Sequence, residues 1–317
     1  MPLKFVYALI SGRNDYYAEQ AAASMHSLRT HNTEAHISLV TDDDTLKSLT
    51  GNRSLIKKYV NEYILLNPPA TFTPKQKSRF LKTSLRQNVD GDFLYLDNDT
   101  IVTASLLELE KSDCEIGAVL DHHHTAESNG QLNNYFKKTK KKWDYDRYFN
   151  GGIILVRDTA GAYGLFEDWH RIWNDERVRY GISMDQPALA QANILNNCIV
   201  TELNGHYNCQ IVLPESKRYW LGALIVHYMT DLSDCPPFPL KCTRLLDMIR
   251  SEGITAEVED ILLNPVAAYL ESTYILGGKE LEIYNSPLVV LGRKLSHDCG
   301  WLNNVLKFIR GVFRTRF

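Results

Sequence analysis

The chain has 317 residues, a formal net charge of −3 and 44% hydrophobic residues. These values are typical of a globular protein with a sizeable core, and the charge balance gives no reason to expect nucleic-acid binding. No segment approaches the ~20 apolar residues that a membrane-spanning helix needs. Short apolar runs alternate with helical patterns from the N-terminus onward, which predicts parallel strands connected by helices.

The predicted elements follow one another in that alternation. Strands are predicted at 5–10, 37–40, 63–66, 93–96, 115–120, 152–156, 199–203 and 224–228, with a helix at 75–88 and an aromatic-rich helix between the sixth and seventh strands. This order predicts a mostly parallel sheet with helices on both faces. The pattern loosens at about residue 232. We therefore predict a main domain at 1–232, an extension at 233–292 and a distinct tail at 293–317.

The six cysteines are scattered along the chain without a CxxC pair. This spacing favours neither a zinc ribbon nor a disulfide framework and is typical of reduced thiols. The first apolar run ends at Arg13, Asn14 and Asp15, so no signal peptide is predicted. These patterns together predict a cytoplasmic protein.

Two carboxylates separated by one residue follow the strand at 93–96, in the segment Asp97-Asn98-Asp99. In open α/β sheets ligands bind beyond the carboxyl ends of the strands. Mg²⁺ and Mn²⁺ prefer carboxylate and phosphate oxygens. The segment therefore predicts a metal site that would bridge the protein to a diphosphate. The alternative is an ordinary turn, because Asp and Asn are common where strands end.

The string from Tyr95 to Val102 resembles the DxD segment of glycosyltransferase family 8, whose members include bacterial lipopolysaccharide glucosyl- and galactosyltransferases and glycogenin. Further segments at 78–82, 149–155, 184–189 and 224–228 resemble other family segments in the same order, so that the resemblance covers residues 4–230. It implies an α/β protein with the GT-A nucleotide-diphospho-sugar transferase fold: a mostly parallel central sheet flanked by helices, here with a helical C-terminal tail.

The resemblance also implies roles for individual residues. The implied ligands of Mn²⁺ or Mg²⁺ are Asp97, Asp99 and His227. The implied donor-binding residues are Arg79, Lys82, Ala8, Tyr16, Asp42, Asn98, Gly151 and Gly152. The implied catalytic residues are Asp185 and Gln186, beside the transferring sugar, and Asn150, which would hydrogen-bond the donor or acceptor sugar. Structural alternatives stay open: the basic residues would suit a solvated helix face, and Ser183-x-x-Gln186 fits a helix capping box.

One departure from the family concerns the diphosphate. The family follows its late histidine with a glycine and a lysine that reach the diphosphate, whereas His227 is followed by Tyr228, Met229, Thr230 and Asp231. The nearest lysine after it is Lys241. The phosphate clamp is therefore either rebuilt or supplied by another residue.

The activity implied by the resemblance is that of a retaining hexosyltransferase. It would move glucose or galactose from a UDP-sugar to a saccharide acceptor, in the synthesis of bacterial lipopolysaccharide or another surface glycan. No carboxylate is an obvious nucleophile, which fits attack from the leaving-group face. Asp185 or Gln186 as a transient nucleophile stays open.

The tail carries apolar residues at helical spacing between Trp301 and Arg314, with basic and polar residues on the other face. This pattern is typical of an interfacial membrane helix. It would allow peripheral docking on the inner face of a membrane and would suit a lipid-linked acceptor. The alternative is a helix packed on the main domain.

Two other classes of protein stay open. Haloacid-dehalogenase-like phosphatases also carry Asp-x-Asp-x-Thr after an apolar strand, and there Asp97 would be the nucleophile and Asp99 the acid and base. Against this class, about ninety residues precede the motif and no later Gly-Asp-x-x-x-Asp follows it. The third class is a non-catalytic nucleotide-sugar binder, because fold alone does not imply activity.

Overall fold

The structure is a computed structural model that describes residues 3–123, 130–141, 146–211, 214–228, 243–267, 283 and 286–291. The chain divides into two compact units, Met1–Ala268 and Tyr269–Phe317. The fold reported below is that of the first unit. The boundaries predicted near residues 232 and 292 and the tail predicted at 293–317 lie outside the described residues.

Strands and helices alternate through most of the first unit. Its described residues form the strands β1 (Lys4–Leu9), β2 (His36–Thr41), β3 (Glu62–Leu65), β4 (Phe93–Leu96), β5 (Thr100–Val102), β6 (Ile116–Leu120), β7 (Phe149–Val156), β8 (Val200–Glu202), β9 (Cys209–Gln210) and β10 (Ile225–His227). They form the helices α1 (Tyr17–His31), α2 (Asp43–Ser48), α3 (Pro74–Thr83), α4 (Leu85–Asn88), α5 (Gly130–Thr139), α6 (Ala160–Tyr180), α7 (Gln186–Leu195), α8 (Thr243–Glu252) and α9 (Ala256–Leu263). Within the described part of the chain, no helix has both the length and the apolarity needed to cross a bilayer.

A seven-stranded sheet with the order β3-β2-β1-β4-β7-β6-β8 forms the centre of this unit. In it β7 runs antiparallel to β4 and β6, while the other neighbours pair in parallel. The prediction of a mostly parallel central sheet with flanking helices is therefore confirmed. A second sheet with the order β5-β10-β9 lies beside the carboxyl end of β4, because β5 begins shortly after that strand ends.

The aromatic-rich helix α6 supplies much of the core. Its side chains Trp169 and Trp173 are fully buried four residues apart, on one face of the helix. Each buried indole also needs a hydrogen-bond acceptor. Trp169 donates to the carbonyl of Asp185 at 2.8 Å, and Trp173 donates to that of Ser183 at 3.4 Å. The core helix thereby fixes the segment that leads into α7.

Three local predictions differ from the structure. The helix predicted at 75–88 divides at Ser84, where the hydroxyls of Thr83 and Ser84 bond back to carbonyls four residues earlier, at 2.8 and 2.7 Å. The capping box predicted from Ser183 to Gln186 does not form, because α7 starts two residues later with Asp185 at its N-cap and no side-chain cap. Strand β7 begins at Phe149, three residues before the predicted start.

Candidate active site

The Asp97-Asn98-Asp99 segment lies at the carboxyl end of β4, in the middle of the large sheet. The backbone N–H of Asp97 donates to the carbonyl of Gly152 at 2.7 Å, which continues the antiparallel ladder between β4 and β7. The Thr100 hydroxyl donates to the Asp97 carbonyl at 2.8 Å and closes the turn. The amide of Asn98 donates to the carbonyl of Ala8 at 3.1 Å, which ties the turn to β1.

The second sheet brings His227 to the same place. Strand β10 pairs antiparallel with β5, with His227 opposite Thr100, and the N–H of Tyr228 donates to the carbonyl of Asp99 at 3.1 Å. The Nε2 atom of His227 then lies 3.3 Å from Oδ1 of Asp99. One side-chain ligand atom from each of Asp97, Asp99 and His227 lies within 4.8 Å of the others.

These three side chains fit a divalent cation chemically. Two carboxylates and one imidazole are oxygen and nitrogen ligands that Mn²⁺ accepts, and Mg²⁺ favours the carboxylates. The carboxylates of Asp97 and Asp99 create a negative electrostatic field at His227. Burial alone lowers the pKa of His227, but Asp99 and more weakly Asp97 outweigh it, so that this pKa is raised. A cation would be stabilised by the same field.

Asp97 is held by two further side chains. The Lys82 Nζ atom lies 3.1 and 3.2 Å from its two oxygens, and the Tyr95 hydroxyl donates to its Oδ1. Lys82 is almost fully buried, and its ammonium lies 5.0 Å from the centre of the Tyr95 ring. Burial and the negative charge of Asp97 raise the pKa of Tyr95 well above its ordinary value, so this phenol stays protonated and donates.

Asp185 sits between two cations from α3. Its Oδ1 lies 2.8 Å from Nε of Arg79, and its Oδ2 lies 3.7 Å from Nζ of Lys82. Burial alone raises the pKa of Asp185, but the ion pairs with Arg79 and Lys82 outweigh it, so that this pKa lies below its ordinary value. The carboxylate is therefore ionised at neutral pH and orients both cations.

A cleft of about 340 Å³ opens beside the candidate metal site formed by Asp97, Asp99 and His227. This volume lies at the lower end of the range for small-molecule sites. The cleft is lined by Ala8, Ile10, Tyr17, Gln20, Pro74, Lys75, Ser78, Arg79, Tyr95, Asp97, Asn98 and Asp99. Five of the predicted site residues thus meet on one cleft, with acidic groups from the β4 end and cations from α3.

Two predicted donor-binding residues, Tyr16 and Asp42, contact other protein groups and are not part of the cleft lining. The Tyr16 hydroxyl donates to Asp247 of α8, and Arg250 stacks over the Tyr16 ring at 4.1 Å. Asp42 is buried, accepts from the N–H of Thr45 at 2.8 Å as the N-cap of α2, and pairs with Lys77 at 3.2 Å. Both side chains are therefore engaged with protein groups, and the neighbouring Tyr17 lines the cleft.

The remaining predicted residues lie on and beside β7. The amide of Asn150 is buried and fully engaged with protein groups, which is a different arrangement from the predicted sugar contact. Gln186 lies close by, with its Oε1 at 3.5 Å from both Asn150 Nδ2 and the Gly151 N–H. A side chain at Gly152 would collide with His227, because a Cβ there would lie 2.4 Å from its Cε1 atom.

Several residues of this region were not among the predicted site residues. Tyr17 and Lys75 line the cleft, while Asp121 and Asn208 lie behind Asn150. Lys75 belongs to the basic run of α3, so the sequence pattern could have indicated it. Asp121 and Asn208 stand at strand ends, where polar residues are common, and no local pattern distinguishes them.

Comparison with solved structures shows where this fold occurs. An active-site mutant of LgtC matches 87% of this chain and 98% of its own, with 16% identity and a TM-score of 0.50. GlyE of Streptococcus pneumoniae TIGR4, a glycosyltransferase, matches with 18% identity and a TM-score of 0.50, over 87% of this chain and 66% of GlyE. Galactosyltransferase LgtC with donor and acceptor sugar analogs matches with 18% identity, the same 87% of this chain, 98% of its own and a TM-score of 0.48.

The fold is the GT-A fold of these glycosyltransferases. The model of the family described as glycosyl transferase family 8 matches residues 8–232, which is more than half of the chain. The chain therefore belongs to glycosyl transferase family 8, and the resemblance seen in the sequence is confirmed. A comparison with curated proteins gave no match.

Proposed function

We propose that the protein is a retaining, metal-dependent hexosyltransferase that moves glucose or galactose from a UDP-sugar to a saccharide acceptor. The observation that carries this proposal is the triad of Asp97, Asp99 and His227 beside a cleft that also presents Lys75 and Arg79. Acidic ligands suit a cation, and neighbouring basic groups suit phosphate oxygens. A metal-bound nucleotide diphosphate satisfies both requirements at once.

In this proposal Asp97, Asp99 and His227 hold Mn²⁺ or Mg²⁺. The bound ion would supply a Lewis acid that stabilises the charge developing on the diphosphate leaving group. Asn98 ties the turn to β1, and its Oδ1 is buried without a hydrogen-bond partner among the described residues. A buried acceptor without a partner is costly, so a ligand hydroxyl or amide that donates to Asn98 would be favourable.

We assign the missing part of the phosphate clamp to α3. The lysine that the family places after its late histidine has no counterpart directly after His227, whereas Lys75 and Arg79 stand one helical turn apart and both line the cleft. Lys75 is exposed and forms no ion pair with a described residue. Its ammonium group would neutralise the charge that the diphosphate brings beyond that of the metal.

The chemical step that we favour is attack by the acceptor hydroxyl from the leaving-group face, with a donor phosphate oxygen taking the proton. Asp185 is a poor nucleophile here, because it is buried and paired with both Arg79 and Lys82. In this proposal it positions the two cations. Gln186, half-buried next to Gly151, would contact the transferring sugar.

The setting that we propose is the synthesis of bacterial lipopolysaccharide or another surface glycan at the cytoplasmic side of the membrane. The support is the family resemblance and the basic amphipathic pattern of the tail at 293–317. A lipid-linked acceptor would then be met at the membrane surface. Removing residues 293–317 is expected to abolish binding to vesicles that contain anionic phospholipid, and unchanged binding would refute this part.

The decisive experiment incubates the protein with Mn²⁺ and a panel of nucleotide sugars and measures release of the nucleotide diphosphate. Release from a UDP-hexose that is lost in Asp99→Ala and kept in Lys47→Gln, at an exposed lysine of α2, would establish the proposal. Release of inorganic phosphate from phosphoesters would instead favour the phosphatase. Tight UDP-sugar binding without turnover, even with added acceptors, would favour the non-catalytic binder.

A further inference from the structure

We infer that three buried side chains, Asp121, Asn150 and Asn208, form a directional hydrogen-bond chain that fixes the tautomer of His227. The inference rests on the proposed function, since it concerns how His227 is prepared to bind the metal. It assigns to Asn208 and Asp121 a positioning role that no sequence pattern indicates. It also gives Asn150 a role behind the metal site.

The hydrogen-bond chain from His227 to Asp121 is continuous and buried. Asn208 Oδ1 lies 3.0 Å from His227 Nδ1, Asn208 Nδ2 lies 3.0 Å from Asn150 Oδ1, and Asn150 Nδ2 lies 2.9 Å from Asp121 Oδ1. The exposed fractions of Asp121, Asn150, Asn208 and His227 are 3%, 2%, 0% and 4%. Buried polar groups of this kind have to be paired with correct donors and acceptors.

The direction of the chain follows from one backbone group. The N–H of Gly152 can only donate, and it lies 2.9 Å from Asn150 Oδ1, so the oxygen of this amide faces Gly152 and Asn208. Its nitrogen then faces Asp121, whose carboxylate oxygen accepts. Two independent partners therefore set the same orientation of the Asn150 amide.

The same logic passes to the next residue. Because Asn150 presents an oxygen to Asn208, Asn208 has to present its NH₂ group in return. The Oδ1 atom of Asn208 is then the atom that faces His227 Nδ1, and an amide oxygen only accepts. His227 therefore carries its proton on Nδ1.

This tautomer leaves a lone pair on the other ring nitrogen. The Nε2 atom of His227 is the one that faces Asp99, at 3.3 Å. With the proton on Nε2, the imidazole would donate to Asp99 and could not bind a cation. Metal-binding histidines are generally held through their second ring nitrogen in this way. Here Asn208 holds the imidazole ring through Nδ1. The orientation of the Asn208 amide is set in turn by Asn150, whose own amide is oriented by Asp121 and the N–H of Gly152.

The direct test is the tautomer of His227 in the metal-free wild-type protein. Long-range ¹H–¹⁵N NMR spectra, recorded at alkaline pH where the imidazole is neutral, distinguish the two ring nitrogens. The signals are assigned by their loss in His227→Asn. A protonated Nδ1 is expected, and a protonated Nε2 would overturn the inference. This measurement needs neither a substitution at Asp121, Asn150 or Asn208 nor a bound metal.

A second test interrupts the hydrogen-bond chain at either end, at Asn208 or at Asp121. Asn208→Leu and Asp121→Leu are expected to weaken Mn²⁺ binding, titrated by electron paramagnetic resonance, by roughly 10- to 100-fold. Asp121→Asn is the matched control, because an amide oxygen still accepts from Asn150 and Mn²⁺ affinity should stay within a factor of about 3. If Asn208→Leu does not fold, the Asp121 pair decides.

The outcomes separate the inference from the proposed function. Mn²⁺ binding that is equally tight in wild type and in a folded Asn208→Leu protein would overturn the inference and leave the metal site standing. A wild-type protein that shows the Nδ1 proton but does not bind Mn²⁺ would refute the metal-dependent function alone. Weakened Mn²⁺ binding in both leucine variants, with the asparagine control unchanged, would support both.

Discussion

The Nε atom of Arg79 lies 2.8 Å from Oδ1 of Asp185, and this ion pair joins α3 to the start of α7. The charges continue from there, since Lys82 lies 3.7 Å from Asp185 and 3.1 Å from Asp97. Positive and negative groups thus alternate from α7 to the candidate metal site. Removing one member of such a run leaves a buried neighbour without its partner, which destabilises more than the pair itself contributes.

Arg79→Ala is accordingly expected to lower the free energy of unfolding by about 3 kcal/mol, because it leaves the buried Asp185 with Lys82 alone. The double variant Arg79→Ala with Asp185→Asn should recover part of this loss, since the uncompensated charge is gone. Urea denaturation measures both. The control is Arg171→Ala, whose pair with Asp168 is more exposed and worth less than about 1 kcal/mol. Equal losses in the Arg79 and Arg171 variants would contradict the argument.

Asp185 also gives a prediction for the dependence of stability on pH. Its folded-state pKa lies below its ordinary value of 3.8. A depressed pKa contributes stability that is present above the unfolded-state pKa and is lost as the pH falls through the folded-state pKa. The difference in unfolding free energy between wild type and Asp185→Asn should therefore stay constant from about pH 7 to 5 and shrink below about pH 4. Urea titrations across this range check it, and a difference that grows on acidification would be inconsistent with it.

The two adjacent glycines of β7 provide a paired test of the candidate metal site. A Cβ at Gly152 would lie 2.4 Å from His227 Cε1, so Gly152→Ala should displace the imidazole and weaken Mn²⁺ binding at least tenfold. A Cβ at Gly151 would meet Lys82 Nζ at 3.4 Å, which is an ordinary contact, so Gly151→Ala should bind Mn²⁺ as wild type does. Isothermal titration with Mn²⁺ distinguishes them, and the prediction fails when the two alanine variants bind equally well.

Part of the fold and of the candidate site could be predicted from the sequence alone. The strand before Asp97, the strand at His227 and the mostly parallel sheet follow from short apolar runs, because such runs between turn signals are typical of buried strands. The approach of His227 to Asp99 depends on the pairing of β10 with β5, which are far apart in the chain. Only the ordered resemblance to the family supplied that link. Asn208 carries no such resemblance, and its contact with His227 becomes visible only in three dimensions.

The phosphate-binding role that we propose for Lys75 predicts that its substitution changes KM and not kcat. Lys75→Gln should raise the KM for the UDP-sugar by about tenfold and leave kcat little changed, because a charged hydrogen bond to phosphate is worth about 1.5 kcal/mol and is made in both ground and transition states. Initial rates at varied donor concentration give both constants. Lys47→Gln, at a lysine that is 77% exposed and pairs with Asp44, should leave both constants unchanged. A wild-type KM in Lys75→Gln would remove Lys75 from the clamp.

The last prediction concerns α8, which lies beyond the part of the chain that the family model matches. Its Arg250 lies 2.8 Å from Oε1 of Glu19, which is fully buried, and stacks on Tyr16 directly before α1. Tyr17 and Gln20, on the first turn of α1, line the cleft. Helix α8 therefore braces one wall of the candidate donor site.

Arg250→Ala should lower the unfolding free energy by about 2 kcal/mol, since a charge-assisted bond to a buried carboxylate is lost. It should also raise the KM for the donor with kcat preserved, because the cleft wall that carries Tyr17 loses its support while Asp97, Asp99 and His227 are untouched. The matched control on the same helix is Arg244→Ala, whose pair with Glu257 is 77% and 59% exposed and worth less than about 1 kcal/mol. A loss of stability with an unaltered KM would make Arg250 a purely structural residue. Effects on both in Arg250→Ala and on neither in Arg244→Ala would show that α8 supports this wall of the cleft.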